Sequence, residues 1–198
     1  MNEVFSAALQ LHEFCEHQGW RFCFIGGVAV HRWGEQRTTD DVDITLLTGF
    51  GNEEAYIDEL LRHFTGREPA QEERAIQRRV LFLVNSDSVN LDVALGGIPF
   101  EFRSIQRSSL WELRPKQALR TCSAEDLLVH KCFANRDRDW TDVEGVLIRQ
   151  WQTIDLEQVR RELKPLAELK EALEILERLN RLVGKLNQSA VLSQLRRR

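Results

Sequence analysis

The 198-residue chain has the composition of an ordinary globular protein, with 42% hydrophobic and 29% charged residues. Its formal net charge of −4 argues against a protein whose whole surface is basic and binds nucleic acid. It has no uncharged apolar stretch of about 18 residues, the length that a membrane span needs. The start of the chain lacks the pattern of a signal peptide, so we expect a cytoplasmic protein with no membrane partner. The cysteines lack zinc spacing and are expected to be reduced and mostly buried: Cys15, Cys23, Cys122 and Cys132.

Apolar periodicity predicts a mixture of helices and short strands in the first part of the chain. The predicted helices cover residues 3–18, 28–33 and 53–64. The predicted strands cover residues 21–25, 42–47, 79–84, 90–95, 111–113 and 118–121. Together they indicate an α/β (α+β) fold, in which helices flank a small mixed β-sheet core over residues 1–122.

From Ser123 onward the pattern is helical only, which predicts a C-terminal helical region over residues 123–198. Helices are expected over residues 124–135, 140–151 and 155–183, with Asp139 as N-cap of the second and Pro165 as a candidate interruption of the third. The leucine-rich face of the third helix is expected to pack on the core, and a dimer or partner interface is the alternative.

The first chemical signal is the Gly26-Gly27 pair between a predicted strand and a helix. Glycines at such a turn let a phosphate approach backbone amides and a helix N-terminus, although a simple tight turn is the alternative. Asp41 and Asp43 follow at the start of the next strand, where residues two apart point to the same face. Convergent carboxylates favour a magnesium ion, and the alternative is a solvated acidic turn.

Asp92 lies inside the apolar run Leu91–Leu95, where a buried aspartate is costly unless it is paired or metal-bound. If that strand neighbours the strand of Asp41, Asp92 completes a cluster of carboxylates. The alternative is an aspartate that faces solvent at the edge of the sheet. A mid-chain arginine group is either a local RNA contact or a set of solvated side chains: Arg74, Arg78 and Arg79.

These motifs resemble the Gly-Ser…Asp-x-Asp signature of the DNA polymerase β-like nucleotidyltransferase superfamily. They are more similar still to the AbiEii-type nucleotidyltransferases, the toxins of type IV toxin–antitoxin systems. The string Arg-x-Thr-x-Asp-x-Asp is matched by Arg37, Thr39, Asp41 and Asp43. A later helical block is matched by Glu125, Asp126, Leu127, Lys131, Arg136, Asp139 and Asp142. The resemblance covers roughly residues 20–150. The chain departs from it at Gly27, where the superfamily has a serine.

The resemblance implies transfer of a nucleoside monophosphate from a nucleoside triphosphate to a hydroxyl acceptor, with a tRNA-like RNA as acceptor and an antitoxin protein as partner. Two Mg²⁺ ions, or Mn²⁺ as the alternative, are expected on Asp41, Asp43 and Asp92, and Asp92 also serves as the general base. Other acceptors, such as an antibiotic or a protein, and a degenerate nucleotide-binding module remain open.

The remaining candidate residues are phosphate contacts. Gly26, Gly27 and Lys131 are expected to hold phosphates, with Lys131 near a helix edge and a plain surface lysine as the alternative. Arg37 and Thr39 either orient Asp41 or touch the γ-phosphate. Arg136 either pairs with Asp139 or Asp142 or contacts the nucleotide.

Overall fold

The computed structural model describes residues 3–195 and, among these, the side chains of residues 3–188. Contacts divide the described chain into two compact units. The first comprises residues 3–32 and 36–123, and the second comprises residues 33–35 and 124–195. No helix among the described residues is long and apolar enough to cross a membrane.

The first unit is the α/β part of the molecule. Its elements in chain order are α1 (Glu3–His17), β1 (Phe22–Phe24), α2 (Gly26–Trp33), β2 (Asp41–Leu47), α3 (Glu53–His63), β3 (Thr65–Gly66), α4 (Gln71–Arg78), β4 (Val80–Val84), β5 (Asn90–Gly96), α5 (Pro99–Arg107), β6 (Ser109–Arg114) and β7 (Gln117–Thr121). The described strands form one seven-stranded mixed sheet in the order β3-β4-β5-β2-β1-β7-β6. The α/β fold class predicted from the sequence is therefore confirmed.

The centre of this sheet is the parallel pair β2 and β5, which has Asp43 opposite Asp92. Alternate residues of β2, Val42, Ile44 and Leu46, are fully buried and belong to the core cluster that includes residues of α1 and α3. Because side chains alternate along a strand, the residues between them point to the opposite face of the sheet. That opposite face carries the polar residues of β2 and β5.

The second unit is helical, with α6 (Ala124–Ala134), α7 (Asp137–Gln150), α8 (Leu156–Leu169) and α9 (Glu174–Leu195). Helix α6 makes contacts with each of the other three helices. Its Leu127, Leu128, Val129 and Cys132 are fully buried, which explains why α6 lacks a polar face of ordinary width.

The predictions from periodicity were incomplete in the first unit, where the short strand β3 was also missed, and wrong for the third helix of the second. Helices α4 and α5 were not predicted, and α4 buries only Ala75, so its apolar signal is weak. The predicted helix over residues 155–183 is two helices, and the break is not at Pro165, which lies inside α8. The chain instead turns after Leu169, where Glu171 adopts a left-handed conformation with φ of 55°.

The cysteines agree with the sequence expectation. Cys15, Cys23, Cys122 and Cys132 are all buried and free of disulfide bonds. Burial raises the pKa of the Cys15 thiol to about 12, which makes it unreactive at neutral pH. These thiols therefore behave as small core side chains.

Candidate functional site

The candidate site of the first unit lies on the polar face of β2 and β5. Asp41 and Asp43 point to this face, and the register pairs Asp41 with Asn90 and Asp43 with Asp92. Because parallel neighbours in register carry their side chains on the same face, all of these polar groups belong to one surface of the sheet. Asn90, which the sequence analysis did not single out, donates a hydrogen bond of 2.8 Å to Oδ1 of Asp41. Its position two residues before Asp92 was the available signal.

Asp43 lies directly against the glycine turn. A Cβ atom on Gly26 would stand only 2.0 Å from Oδ2 of Asp43, so any other residue would displace this carboxylate. Gly26 also has φ of 57°, a left-handed conformation that glycine adopts without the steric cost of a side chain. The close approach and the backbone conformation both require glycine at this position.

The second glycine leaves room for a hydroxyl from another segment. A Cβ atom on Gly27 would stand 2.1 Å from Oγ1 of Thr39. The Thr39 side chain therefore occupies the space that a side chain at position 27 would need. Thr39 is buried and its hydroxyl donates a hydrogen bond of 3.3 Å to the carbonyl of Asp41. The hydroxyl thus lies between the glycine turn and the backbone carbonyl of Asp41.

The segment that carries Thr39 is fastened to helix α2. His31 Nε2 lies 2.7 Å from the carbonyl oxygen of Arg37. The guanidinium of Arg37 donates a hydrogen bond of 2.9 Å to the carbonyl of the next residue, Thr38. The structure thus gives Arg37 a role in shaping its own loop, whereas its predicted contacts to Asp41 or a γ-phosphate stay predictions.

Asp92 is not buried, contrary to the sequence expectation, because β5 alternates between buried and partly exposed positions. Its side chain is 27% exposed and forms an ion pair with Arg67. The guanidinium of Arg67 also lies over the ring of Phe82, 4.9 Å from its centroid. Desolvation raises the pKa of Asp92 to about 6; the charges of Asp43 and Asp41 also raise it and Arg67 opposes them.

The mid-chain arginines are all engaged with carboxylates or carbonyls. Arg74 and Arg78 both contact Glu68, at 3.4 and 3.2 Å. Arg79 pairs with Glu53 and donates a hydrogen bond of 2.8 Å to the carbonyl of Gly49. These ion pairs neutralise much of the positive charge that the sequence alone suggests as an RNA contact.

The donor chemistry of the polar face fits a hard divalent cation. Asp41 and Asp43 supply carboxylate oxygens from the same face of one strand, the ligand type that Mg²⁺ prefers. Among the side chains that the structure describes, those of residues 3–188, no group of three or more histidine, cysteine, aspartate or glutamate residues has the arrangement of a metal site. Asp41 and Asp43 are thus the residues on this face that would hold an ion, and the neighbouring Asp92 is paired with Arg67.

The predicted phosphate contact Lys131 lies in the second unit, where it is buried rather than at a helix edge. Its amine is 3.1 Å from Oδ1 of Asp139 and 2.8 Å from Oδ2 of Asp142. The exposed fractions of the side chains are 7% for Lys131, 2% for Asp139 and 3% for Asp142. The prediction that Lys131 lies at an exposed helix edge was wrong. The hydrophobic pattern of α6 does not reveal that α7 places two carboxylates beside Lys131.

The sequence predicts Asp139 as the N-cap of α7, and this prediction was wrong. The helix begins at Asp137, and Arg136 is the N-cap residue. The Asp139 carboxylate accepts hydrogen bonds from the backbone of Arg136 at 3.3 Å and from its Nε at 2.6 Å. Burial alone would raise the pKa of Asp139, but its hydrogen bonds to Arg136 and Lys131 outweigh burial and hold the pKa below the ordinary value. Of the predicted alternatives for Arg136, the structure has the pairing with Asp139.

Comparison with known families adds a specific match. Residues 14–181 match the family described as nucleotidyl transferase AbiEii toxin, type IV TA system. No curated protein matches the sequence significantly.

Structural comparison finds similar solved structures of low sequence identity to this chain. An antigenic nucleotidyltransferase-like protein from Paracoccidioides brasiliensis is 14% identical, with a TM-score of 0.54 over 87% of this chain and 91% of that one. The antibiotic-resistance factor ANT(2'')-Ia is 17% identical, with a TM-score of 0.48 over 87% and 92% of the two chains. The Thermotoga maritima CCA-adding enzyme, solved with tRNA, is 11% identical, with a TM-score of 0.38 over 92% and 51%.

Proposed function

Because the chain belongs to the AbiEii family of nucleotidyl transferase toxins, we propose that it transfers a nucleoside monophosphate from a nucleoside triphosphate to a hydroxyl of RNA, using a divalent metal ion on Asp41 and Asp43. The observation that carries this proposal is the polar face of β2 and β5, where Asp43 faces both the Gly26 turn and Asp92. A tRNA-like acceptor and an antitoxin partner are proposed from the family alone.

The proposed reaction is an in-line displacement at the α-phosphorus. The acceptor oxygen forms a bond to phosphorus, the bond to the β-phosphate oxygen breaks, and pyrophosphate leaves. Asp41 and Asp43 hold the metal, which when bound neutralises charge on the triphosphate. Asp92 accepts the proton of the acceptor hydroxyl, and a pKa of about 6 leaves its carboxylate mostly ionised at neutral pH.

The phosphate contacts are proposed at the glycine turn. The amides of Gly26 and Gly27 begin α2, and the N-terminus of a helix favours an anion. The hydroxyl of Thr39, which lies against Gly27, supplies the oxygen that the superfamily carries on a serine at position 27. Lys131 and Arg136 are also proposed as phosphate contacts. This part of the proposal rests on the resemblance alone, because both side chains form ion pairs with Asp139.

Moving the hydroxyl from position 39 to position 27 tests the proposal that Thr39 replaces the serine of the superfamily as a phosphate contact. Thr39→Ala is expected to lower kcat/KM for the nucleotide by about tenfold to a hundredfold, because a hydrogen bond to a charged group is worth about 1.5–3 kcal/mol. Gly27→Ser is expected to be similarly impaired, because its side chain overlaps Thr39. The double variant Gly27→Ser/Thr39→Gly removes both Oγ1 and Cβ of residue 39, the atoms that a Cβ at position 27 would overlap, and it restores a hydroxyl, so steady-state kinetics should show recovery.

The matched control for this exchange is Thr38→Ala, which removes a hydroxyl from an exposed neighbouring residue that does not face Gly27 and should leave the kinetics unchanged. If the double variant is as impaired as Gly27→Ser alone, the exchange of hydroxyl positions is wrong. Circular dichroism of all four variants separates a loss of contact from a loss of fold.

The acceptor is tested by incubating the purified chain and Mg²⁺ with each α-labelled nucleoside triphosphate, first with total RNA and then with a cell extract freed of RNA. Label in a tRNA-sized band that resists protease and is removed by ribonuclease is the expected result. Label that appears only in protein or in small molecules overturns the RNA acceptor and leaves nucleotidyl transfer standing. Binding of nucleotide without any transfer, with RNA, protein and small molecules all supplied, favours the degenerate binding module.

A further inference from the structure

The contact between Arg67 and Asp92 is the least expected feature of the candidate site. Arg67 follows the short strand β3, and its amide donates a 3.0 Å hydrogen bond to the carbonyl of Phe82 on β4. Glu68, the next residue, is held by Arg74, Arg78 and Gln71. The backbone of Arg67 is therefore fixed on both sides, and its side chain reaches over Phe82 to Asp92.

The charges of the site explain why a cation is needed at Asp92. Asp41, Asp43 and Asp92 place three carboxylates on the same face of β2 and β5, with Asp43 directly opposite Asp92. Like charges this close destabilise one another, and a guanidinium beside Asp92 relieves part of that repulsion. Phe82 covers one face of the guanidinium, which strengthens its hold through a cation–π contact.

A guanidinium and a divalent ion require the same carboxylate oxygens. Arg67 contacts Oδ1 of Asp92, an oxygen that would otherwise be available to an ion beside Asp43. Two cations close to one carboxylate also repel each other. Because the Arg67 and Asp92 side chains are both 27% exposed, the guanidinium can turn toward solvent without breaking the backbone hydrogen bond to Phe82.

We propose that Arg67 is a built-in counter-cation that competes with a divalent metal ion for Asp92. Arg67 occupies Asp92 when no metal is bound, and binding of an ion that touches Asp92 requires the guanidinium to leave. Arg67 thereby raises the metal concentration that the site needs and keeps the third carboxylate occupied until metal and nucleotide arrive. The inference rests on the proposed metal site at Asp41 and Asp43, extends that site to Asp92, and adds a residue that controls its occupancy.

The test is a titration of the full chain with Mn²⁺ in the absence of nucleotide. Electron paramagnetic resonance measures the concentration of free Mn²⁺ and so gives the affinity. Arg67→Gln removes the cation and keeps a polar side chain. It is expected to bind Mn²⁺ about tenfold more tightly than the wild-type chain, which corresponds to removal of one partly screened competing charge. In an Asp92→Asn background the same substitution should change the affinity less than twofold, because the carboxylate in competition is gone.

The matched control is Arg62→Gln, which removes an equal charge from the first unit, at an exposed side chain that contacts Glu59 and not the Arg67 segment. It should bind Mn²⁺ as the wild type does. Equal or weaker Mn²⁺ binding by Arg67→Gln, in a chain with wild-type circular dichroism, overturns the proposal. So does an equal tightening in the Arg62→Gln control, which would reflect net charge alone.

A second variant covers the case in which Arg67→Gln does not fold. Phe82→Leu keeps both charges and removes the ring beneath the guanidinium, so it should tighten Mn²⁺ binding in the same direction by about twofold to fivefold. No tightening in this folded variant overturns the proposal. Since Mn²⁺ binding needs neither nucleotide nor acceptor, failure of nucleotidyl transfer is recognised separately in the RNA labelling experiment.

Discussion

Replacing Asp41 and Asp43 together by asparagine is expected to lower nucleotidyl transfer by at least about a thousandfold, the scale of removing a preorganised charge-stabilising group from an active site. Both carboxylates lie on the partly exposed face of β2, where they contribute little to the core. Asparagine keeps the shape of each side chain and retains the hydrogen bond from Asn90 to position 41. The loss should therefore be one of chemistry and not of fold.

The measurement is incorporation of label from α-labelled nucleoside triphosphates, with circular dichroism and thermal unfolding as checks on the fold. Asp40→Asn is the matched control, since Asp40 is an exposed neighbour outside the proposed metal site, and it should keep wild-type activity. Mn²⁺ binding should be lost in the double variant and kept in the control. Wild-type transfer by the double variant would contradict the metal-dependent mechanism.

The sheet and its polar face were predictable because strand alternation is a local signal. Val42 and Ile44 are buried, while Asp41 and Asp43 are not, which is the pattern that two-residue periodicity predicts. The same reasoning failed for the burial of Asp92, because an apolar neighbourhood in sequence does not reveal which face of the strand a residue takes. Side chains alternate along β5, and Asp92 lies on its partly exposed face.

Contacts between distant segments were beyond the reach of the sequence. The Arg67–Asp92 pair depends on the order of β3, β4 and β5 in the sheet, and α4, which follows Arg67, has little apolar signal of its own. The position of Thr39 against Gly27 depends on how the loop before β2 folds back on α2. In both cases the interaction partner is set by tertiary packing, which periodicity does not encode.

Lys131→Met is expected to destabilise the second unit by about 3–5 kcal/mol, the cost of removing one partner from a buried ion pair. The methionine leaves Asp139 and Asp142 buried without the amine that contacts both. Asp139 keeps its pairing with Arg136, which favours the lower end of that range. Urea unfolding monitored by circular dichroism measures the loss, and a change below about 1 kcal/mol, the size typical of a surface pair, would contradict it.

The same cluster predicts a dependence of stability on pH. Because the pKa of Asp139 is held below its ordinary value, its contribution to folding is fully present above the pKa of the unfolded state, about 4. This contribution is lost as the pH falls through the lower value of the folded state. The wild-type chain should therefore lose stability more steeply below about pH 4 than Lys131→Met does, as urea unfolding at a series of pH values would show. Equal steepness in the two chains would contradict the assignment.

Neutralising the cluster of Lys131, Asp139 and Asp142 distinguishes a structural role of Lys131 from a role in phosphate binding. The triple variant Lys131→Met/Asp139→Asn/Asp142→Asn removes all three charges, and it should recover much of the stability lost by Lys131→Met, because no buried charge remains without its partner. If the lysine acts only through its ion pairs, nucleotidyl transfer recovers together with stability. If the amine also contacts the nucleotide, the triple variant folds but its KM for the nucleoside triphosphate stays raised. A folded triple variant with wild-type kinetics would remove Lys131 from the proposed phosphate contacts.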